Sequence, residues 1–391
     1  MALADRLSQI APSPTLAMNA KAKAMKAQGV DVVSFTVGEP DFLTPEHICR
    51  AAIEAIKTGA HKYTPADGTP ELKKAIIRKF ERDAGLTYAP DEIVVTCGGK
   101  HAIFELALAT LNPGDEVIIP APYWVSYPPI AILAGAKPVI LETTARNGFK
   151  LDPDSLAAAV TPRTRAVIIN SPSNPTGTVY TRAELEALAE VVLDKGLLIW
   201  SDEIYEKLVF DGNESYCLAA LRPELKDRVV VLNGVSKTYA MTGWRIGYMA
   251  GPKDIARAVS KIQSQSTSNP CAVAQAAAVA ALDGPEEEIL RMVEAFDRRR
   301  RLFLELLDGI EVEVAEPFGA FYIFPDFSAY LKGSIRDSTA LAEHLLEKAH
   351  VGTVPGEAFG AEGFLRFSYA TSEERIREGM ARVKKALAQL D

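Results

Sequence analysis

Cysteine, histidine and long apolar runs are scarce in this chain, and each scarcity removes a class of chemistry. The 391 residues include four cysteines and five histidines. Cys49, Cys97, Cys217 and Cys271 lie far apart with no C-x-x-C pair, so they read as reduced thiols of a cytoplasmic protein, not as a disulfide framework or zinc site. His47, His61, His101, His344 and His350 form no H-x-H or H-E-x-x-H pattern, which argues against a metal. No apolar run approaches the roughly 18–20 residues of a membrane span, and the first ten residues are too mixed in charge for a signal peptide. The chain has no G-x-G-x-x-G or G-K-[ST] pattern, no repeat and no low-complexity tract. Acidic residues outnumber basic ones, 51 to 43, for a net charge of −8, so a basic nucleic-acid footprint is missing too.

What is present is length and alternation. A chain this long can form two or three domains around a large core. Apolar runs at Ile93–Cys97, Glu116–Ile119, Pro138–Leu141, Ala166–Asn170, Leu197–Ser201, Val229–Asn233 and Ile246–Ala250 predict strands covered on both faces. Helical patterns separate them. Leu72, Ala75, Ile76 and Phe80 share one face, and Thr181 with Glu184 forms a capping-box pattern. The expected architecture is α/β with a mostly parallel seven-stranded sheet, whose ligand sites lie beyond the carboxyl ends of the strands. After about residue 285 the texture changes. A helix over Glu286–Leu307, short strands at Ile310–Val314, Ala320–Phe324 and Leu365–Ser368, and helices near Ser338–Ala349 and Ser372–Leu390 predict a smaller α+β domain. A helix at Asn19–Gln28 would pack beside it. The expected division is an N-terminal arm and part of the small domain (1–45), a large domain (46–285) and a small C-terminal domain (286–391).

The chemistry gathers in Asn233-Gly-Val-Ser-Lys-Thr-Tyr-Ala-Met-Thr-Gly-Trp-Arg245, after the apolar run ending at Leu232. A lysine at a buried strand end loses solvation, which lowers its pKa and leaves some neutral, nucleophilic amine, as a Schiff-base lysine requires. If Lys237 holds pyridoxal phosphate, a carboxylate for the ring nitrogen, a phosphate cradle, a stacking aromatic and a carboxylate clamp should be found elsewhere. Asp202 follows a strand and could pair with a pyridinium; a helix N-cap is its plain structural reading. Gly98-Gly99-Lys100 opens a helix and could cradle a phosphate, although glycine pairs often only make a tight turn. Lys100 opposes the helix dipole there, which suggests an anionic partner. Asn174, in a Pro- and Gly-rich loop, could donate to a ring oxygen. Trp124 could stack on a ring or simply fill the core. Arg366 alternates with Leu365 and Phe367; if buried, its planar fork suits a carboxylate.

Together with Val37-Gly-Glu-Pro-Asp-Phe42, Tyr63-Thr-Pro-Ala-Asp-Gly-Thr-Pro-Glu-Leu72, Asn174-Pro-Thr-Gly177 and Ser201-Asp-Glu-Ile-Tyr205, these motifs resemble the class I, fold type I aminotransferases that depend on pyridoxal phosphate. The resemblance covers nearly the whole chain. In the wording of Gly98–Lys100 and Met241–Gly247 it is nearest to bacterial aspartate and aspartate/prephenate aminotransferases. It implies that Lys237 carries the cofactor as a Schiff base and shuttles the substrate proton. Asp202 would hold the ring nitrogen, Asn174 and Tyr205 the ring oxygen, Trp124 the ring face, and Gly99, Lys100, Ser236 and Arg245 the phosphate. Tyr63 would reach the phosphate in the neighbouring subunit of a homodimer. Arg366 would clamp the substrate α-carboxylate, with Gly38, Asn174 and Trp124 beside it, and Lys100 would take a second carboxylate with Ser13 or Thr15. One departure is Gly234, where many relatives carry a phosphate-binding serine. The resemblance implies a ping-pong reaction, L-aspartate plus 2-oxoglutarate giving oxaloacetate and L-glutamate, with prephenate a further acceptor. The alternatives are an aromatic or neutral amino-acid aminotransferase, a β-eliminating lyase and a non-catalytic cofactor-binding regulator.

Overall fold

The computed structural model describes residues 3–12 and 14–390. Its strands in chain order are β1 (Val33–Ser34), β2 (Ile93–Thr96), β3 (Glu116–Ala121), β4 (Lys137–Glu142), β5 (Thr164–Asn170), β6 (Leu198–Asp202), β7 (Val229–Gly234), β8 (Gly247–Ala250), β9 (Tyr322–Ile323), β10 (Val351–Gly352), β11 (Val354–Pro355) and β12 (Leu365–Ser368). The α-helices are α1 (Pro14–Ala27), α2 (Glu46–Thr58), α3 (Pro70–Ala84), α4 (Gly99–Thr110), α5 (Tyr127–Leu133), α6 (Pro153–Ala159), α7 (Arg182–Lys195), α8 (Lys253–Ser266), α9 (Ala272–Asp283), α10 (Glu287–Leu307), α11 (Ser338–His344) and α12 (Glu373–Leu387).

Seven strands form the main sheet in the order β2-β8-β7-β6-β5-β3-β4. Only β8 runs against the others. The continuous apolar runs are explained by burial on both faces. Ile93 and Val95 of β2 pack with Val167, Ile199, Val229 and Val231 beneath α2, α3, α7 and α9. Val94 of the same strand packs the other way, with Val117, Ile168, Trp200, Val230 and the α4 and α8 residues Ala102, Leu106 and Val259. Local chemistry sets the helix ends. The Thr181 hydroxyl accepts from the Glu184 amide at 3.3 Å while the Glu184 carboxylate accepts from the Thr181 amide at 2.7 Å, so the capping box forms as expected. Thr69 caps α3 ahead of Pro70, and Leu72, Ala75, Ile76 and Phe80 are all buried.

A separate apolar cluster joins Met18 and Ala22 of α1 and Val33 of β1 to α10, α11 and α12. Its backbone link is β1, parallel to β10 with Val33 opposite Val351. β12 lies between β11 and β9. Two sequence expectations need correction here. Ile310–Val314 is not a strand: the Val312 amide turns back onto the Ile310 carbonyl, and the segment touches its neighbour only at Glu313 opposite Asp326. Ala320–Phe324 shrinks to Tyr322–Ile323 because Ala320 takes a left-handed conformation (φ 58°). No helix among the described residues is long and apolar enough to cross a membrane, and no cluster of metal-ligating side chains occurs among them.

Candidate active site

The sheet topology decides what meets at its rim. β5, β6 and β7 end side by side, with Asn170 opposite Asp202 and Asp202 opposite Leu232. Because β8 is antiparallel to β7, it starts where β7 ends, Gly247 facing Gly234. The connection between them therefore begins and ends at the same rim and brings Lys237 and Arg245 to one place. Gly98 and Gly99 follow β2, and Trp124 follows β3, at that edge. A cavity of about 300 Å³ opens there. Its walls include Thr15, Gly38, Gly99, Lys100, Trp124, Asn174, Asp202, Tyr205, Ser236, Lys237, Arg245 and Arg366. Of the residues singled out from sequence, Tyr63 stands apart: it is outside this cavity and 90% exposed. Ser13 lies outside the described residues.

Lys237 Nζ donates to the Gly38 carbonyl at 2.6 Å. Burial pushes its pKa down to about 8; Glu39 and Asp202 oppose that shift, while the positive charges of Arg366 and Arg245 add to it. At neutral pH roughly a tenth of such amines are unprotonated. Asp202, the last residue of β6, is buried and accepts from the Tyr127 hydroxyl at 2.6 Å and the Ile204 amide at 3.3 Å. Burial raises its pKa, and those two donors and Lys237 pull it back. It caps no helix.

The opposite end of the cavity is rich in N–H donors. Gly98 has φ 90°, and a Cβ there would lie 2.3 Å from Arg245 Nη2, so only glycine lets the guanidinium lie against the start of α4. Arg245 Nη1 donates to the Thr242 carbonyl at 2.9 Å. The first turn of α4 has no acidic residue, leaving its amides and dipole open to an anion. Lys100 Nζ stands 4.9 Å above the Trp124 ring, and burial, helped by Arg245, lowers its pKa. Gly234 is paired within the sheet and does not line the cavity. Ser236 and Thr242 are the cavity hydroxyls on the segment between Lys237 and Arg245 or beside it.

The remaining wall comes from outside the main sheet. Arg366 on β12 is 2% exposed. Nη1 donates to Asn174 Oδ1 at 2.9 Å and Nη2 to the Thr36 carbonyl at 2.8 Å, while Nε has no partner. The guanidinium sits between the rings of Tyr322 (4.5 Å) and Phe359 (5.0 Å). No carboxylate among the described residues pairs with it, and burial lowers its pKa. The Tyr205 and Tyr322 hydroxyls are 2.8 Å apart. Thr15 Oγ1 is buried without a partner.

Sequence reasoning missed Tyr127 and Tyr322. Tyr127 had a readable signal, being three residues after Trp124 across the turn that opens α5; its ring packs edge-on against Trp124 at 5.4 Å. Tyr322 had none, because its strand is two residues long. Asn170, whose Oδ1 accepts from the Asn174 amide at 2.9 Å, was read only as the end of a strand.

The family model for aminotransferase class I and II matches residues 30–383. The chain is 50% identical over 387 residues to an aspartate aminotransferase of Geobacillus stearothermophilus, covering 98% of each chain. It is 50% identical over 396 residues to an aspartate/prephenate aminotransferase of Cereibacter sphaeroides, covering 99% of each. Among solved structures, an aspartate aminotransferase from Rhizobium meliloti superposes with a TM-score of 0.95 at 46% identity over all of both chains. The Thermus thermophilus aspartate aminotransferase with maleate gives 0.94 at 44% identity, covering 99% of this chain and 100% of that one.

Proposed function

Because the chain belongs to the class I and II aminotransferases, which use pyridoxal phosphate, we propose that it transfers the amino group of L-aspartate to 2-oxoglutarate, through the cavity at the sheet rim. Relatives at about half identity carry aspartate, or aspartate and prephenate, in their names, and prephenate is the second acceptor we propose. The observation that carries the reading is Arg366: a buried cation with a free Nε and no carboxylate partner needs an anion, and a substrate carboxylate supplies one.

The cavity fits the cofactor in three respects. A phosphate suits the α4 amides, Arg245 and Ser236; a basic ring nitrogen suits buried Asp202; an aldehyde suits the Lys237 amine. Bound pyridoxal phosphate supplies an aldehyde carbon that condenses with amines and a protonated ring that takes up the electrons left when the substrate α-carbon loses its proton.

The chain's own groups do the rest. Asp202 keeps a negative charge at the ring nitrogen, and the Tyr127 hydroxyl holds that carboxylate in one orientation. Asn174 turns Oδ1 to Arg366, which leaves its NH2 as the donor for a ring oxygen, with Tyr205 the second donor. Trp124 covers one ring face. Lys237 Nζ, deprotonated at modest cost, accepts the α-proton and returns it. Arg366 Nε and Nη fix the α-carboxylate beside Gly38, and Lys100 with Thr15 takes the second carboxylate of a dicarboxylic substrate. Tyr63 belongs to the site of a second copy in a homodimer; its exposure supports that reading. The division at residues 45 and 285 is proposed on the apolar clusters, one of which joins α1 and β1 to α10–α12. A cytoplasmic location is proposed on four free thiols.

An amino-donor panel tests the substrate. With 2-oxoglutarate as acceptor, L-aspartate should give the highest kcat/KM, and with L-aspartate or L-glutamate as donor, prephenate should also be aminated. Preference for an aromatic or neutral donor would overturn the dicarboxylate assignment.

A further inference from the structure

Tyr63 is the one aromatic among the large, strongly exposed apolar side chains of the described residues, yet the loop that presents it is held by hydrogen bonds from buried side chains. Two glutamines with no solvent exposure, Gln263 on α8 and Gln275 on α9, direct their amides into that loop. Gln275 Oε1 accepts from the Thr69 amide at 2.8 Å, and its Nε2 donates to Thr64 Oγ1 at 3.0 Å and to the Pro270 carbonyl at 2.9 Å. Gln263 Nε2 donates to the carbonyls of Ala66 and Val95. Two carbonyl neighbours settle which end of the Gln263 amide is the nitrogen. Below them the Asp67 carbonyl accepts from the Val95 amide at 3.0 Å, and the Asp67 carboxylate pairs with Lys73. Gly68 closes the turn at φ 106°, where a Cβ would lie 2.5 Å from Val95 Cγ2.

A leucine or methionine would fill the space between α8, α9 and the sheet without any buried amide to satisfy. Here both Gln275 ends reach the loop, at Thr64 and Thr69, and Gln263 reaches it at Ala66 with its Oε1 left unpaired, next to a side chain that is 90% exposed. We infer that Gln275, seconded by Gln263, is a positioning residue for Tyr63 and acts on cofactor binding in the other subunit. This rests on the proposal that Tyr63 completes the neighbouring phosphate site. A loop fixed in advance presents the phenol hydroxyl to that phosphate without ordering costs at each binding event.

The test reconstitutes cofactor-free protein with pyridoxal phosphate and reads affinity from the absorbance of the lysine-bound cofactor. Tyr63→Phe and Gln275→Leu should each weaken binding roughly tenfold or more, as loss of a hydrogen bond to a charged group does. The double variant should lose no more than either alone. A hybrid dimer separates this from a merely structural effect. One subunit carries Gln275→Leu and the other Lys237→Ala, so the absorbance reports only on the Gln275→Leu subunit, whose site receives an unaltered Tyr63 loop. Wild-type affinity there is the expected result; affinity as weak as in the Gln275→Leu homodimer overturns the inference. Loss in Tyr63→Phe with none in Gln275→Leu overturns it alone, whereas no loss in Tyr63→Phe removes the neighbouring-site reading as well. If Gln275→Leu does not fold, Gln275→Glu, which keeps the acceptor for Thr69 and loses both donors, takes its place in each arm.

Discussion

The two walls of the cavity are built on opposite terms. At the rim of the main sheet three charged groups have polar partners: Asp202 is held by Tyr127 and Ile204, Lys237 by the Gly38 carbonyl, and Arg245 by the Thr242 carbonyl. The far wall, with Arg366 on a short strand and Thr15 at the start of α1, keeps a buried guanidinium whose Nε has no partner and a buried hydroxyl without a partner. The first is how a protein holds a resident group in fixed geometry, and the second is how it waits for an anion that comes and goes. On this contrast we propose that the rim holds the cofactor and the far wall the exchanging substrate.

Lys237→Ala should break the rim with the largest effect. Turnover should fall by at least about 10⁴-fold, and the absorbance of lysine-bound cofactor should vanish. Multiple turnovers in that variant would remove Lys237 from its role. Arg366→Leu should break the far wall alone. The cofactor absorbance should remain while kcat/KM for L-aspartate drops about 10²–10³-fold, the range for removing one partner of a buried charge pair. With no substrate present, the melting temperature of this variant should change by no more than a few degrees, since removal of a desolvated charge offsets the loss of its hydrogen bonds to Asn174 and the Thr36 carbonyl. A variant that loses its cofactor and keeps its substrate affinity would reverse the assignment of the two walls.

The smallest effect lies one residue from the rim. Glu203 points away from the cavity, toward the Ser201 hydroxyl (2.8 Å) and the Leu218 amide (3.1 Å). Burial, with Glu206 adding, raises its pKa from the ordinary 4.5 to about 7. Its folded form therefore holds a proton that the unfolded chain gives up, so the stability it contributes is full below about pH 4.5 and is lost as pH rises through about 7. Glu203→Gln should flatten the fall of melting temperature between about pH 5 and 8 by a few degrees and leave kcat unchanged. A catalytic loss as large as that of Arg366→Leu would mean the region behind the rim is part of the working site.

The same contrast explains what the sequence revealed. The rim was legible because its groups lie beside the ends of apolar sheet strands, most of them buried on both faces, and such strands announce themselves: all seven were located to within a few residues. Once β8 runs antiparallel, Lys237 and Arg245 share a rim by topology alone. The far wall was legible mostly through family resemblance. Its strand β12 is found where the alternation places it, at Leu365–Ser368, but β9, β10 and β11 are two residues long, too short for a period of two to emerge, and the mistaken strand at Ile310–Val314 belongs to this part of the chain. Tyr322 was invisible for that reason, and the isolation of Arg366 from any carboxylate appears only when distant segments pack.

The most direct test mixes the cofactor-loaded enzyme with L-aspartate and no acceptor, then counts products per site. One oxaloacetate per site, no free ammonia, and recovery of a second round only after 2-oxoglutarate is added is the predicted result. Continued release of ammonia with fumarate, needing no acceptor, would contradict amino transfer at this site.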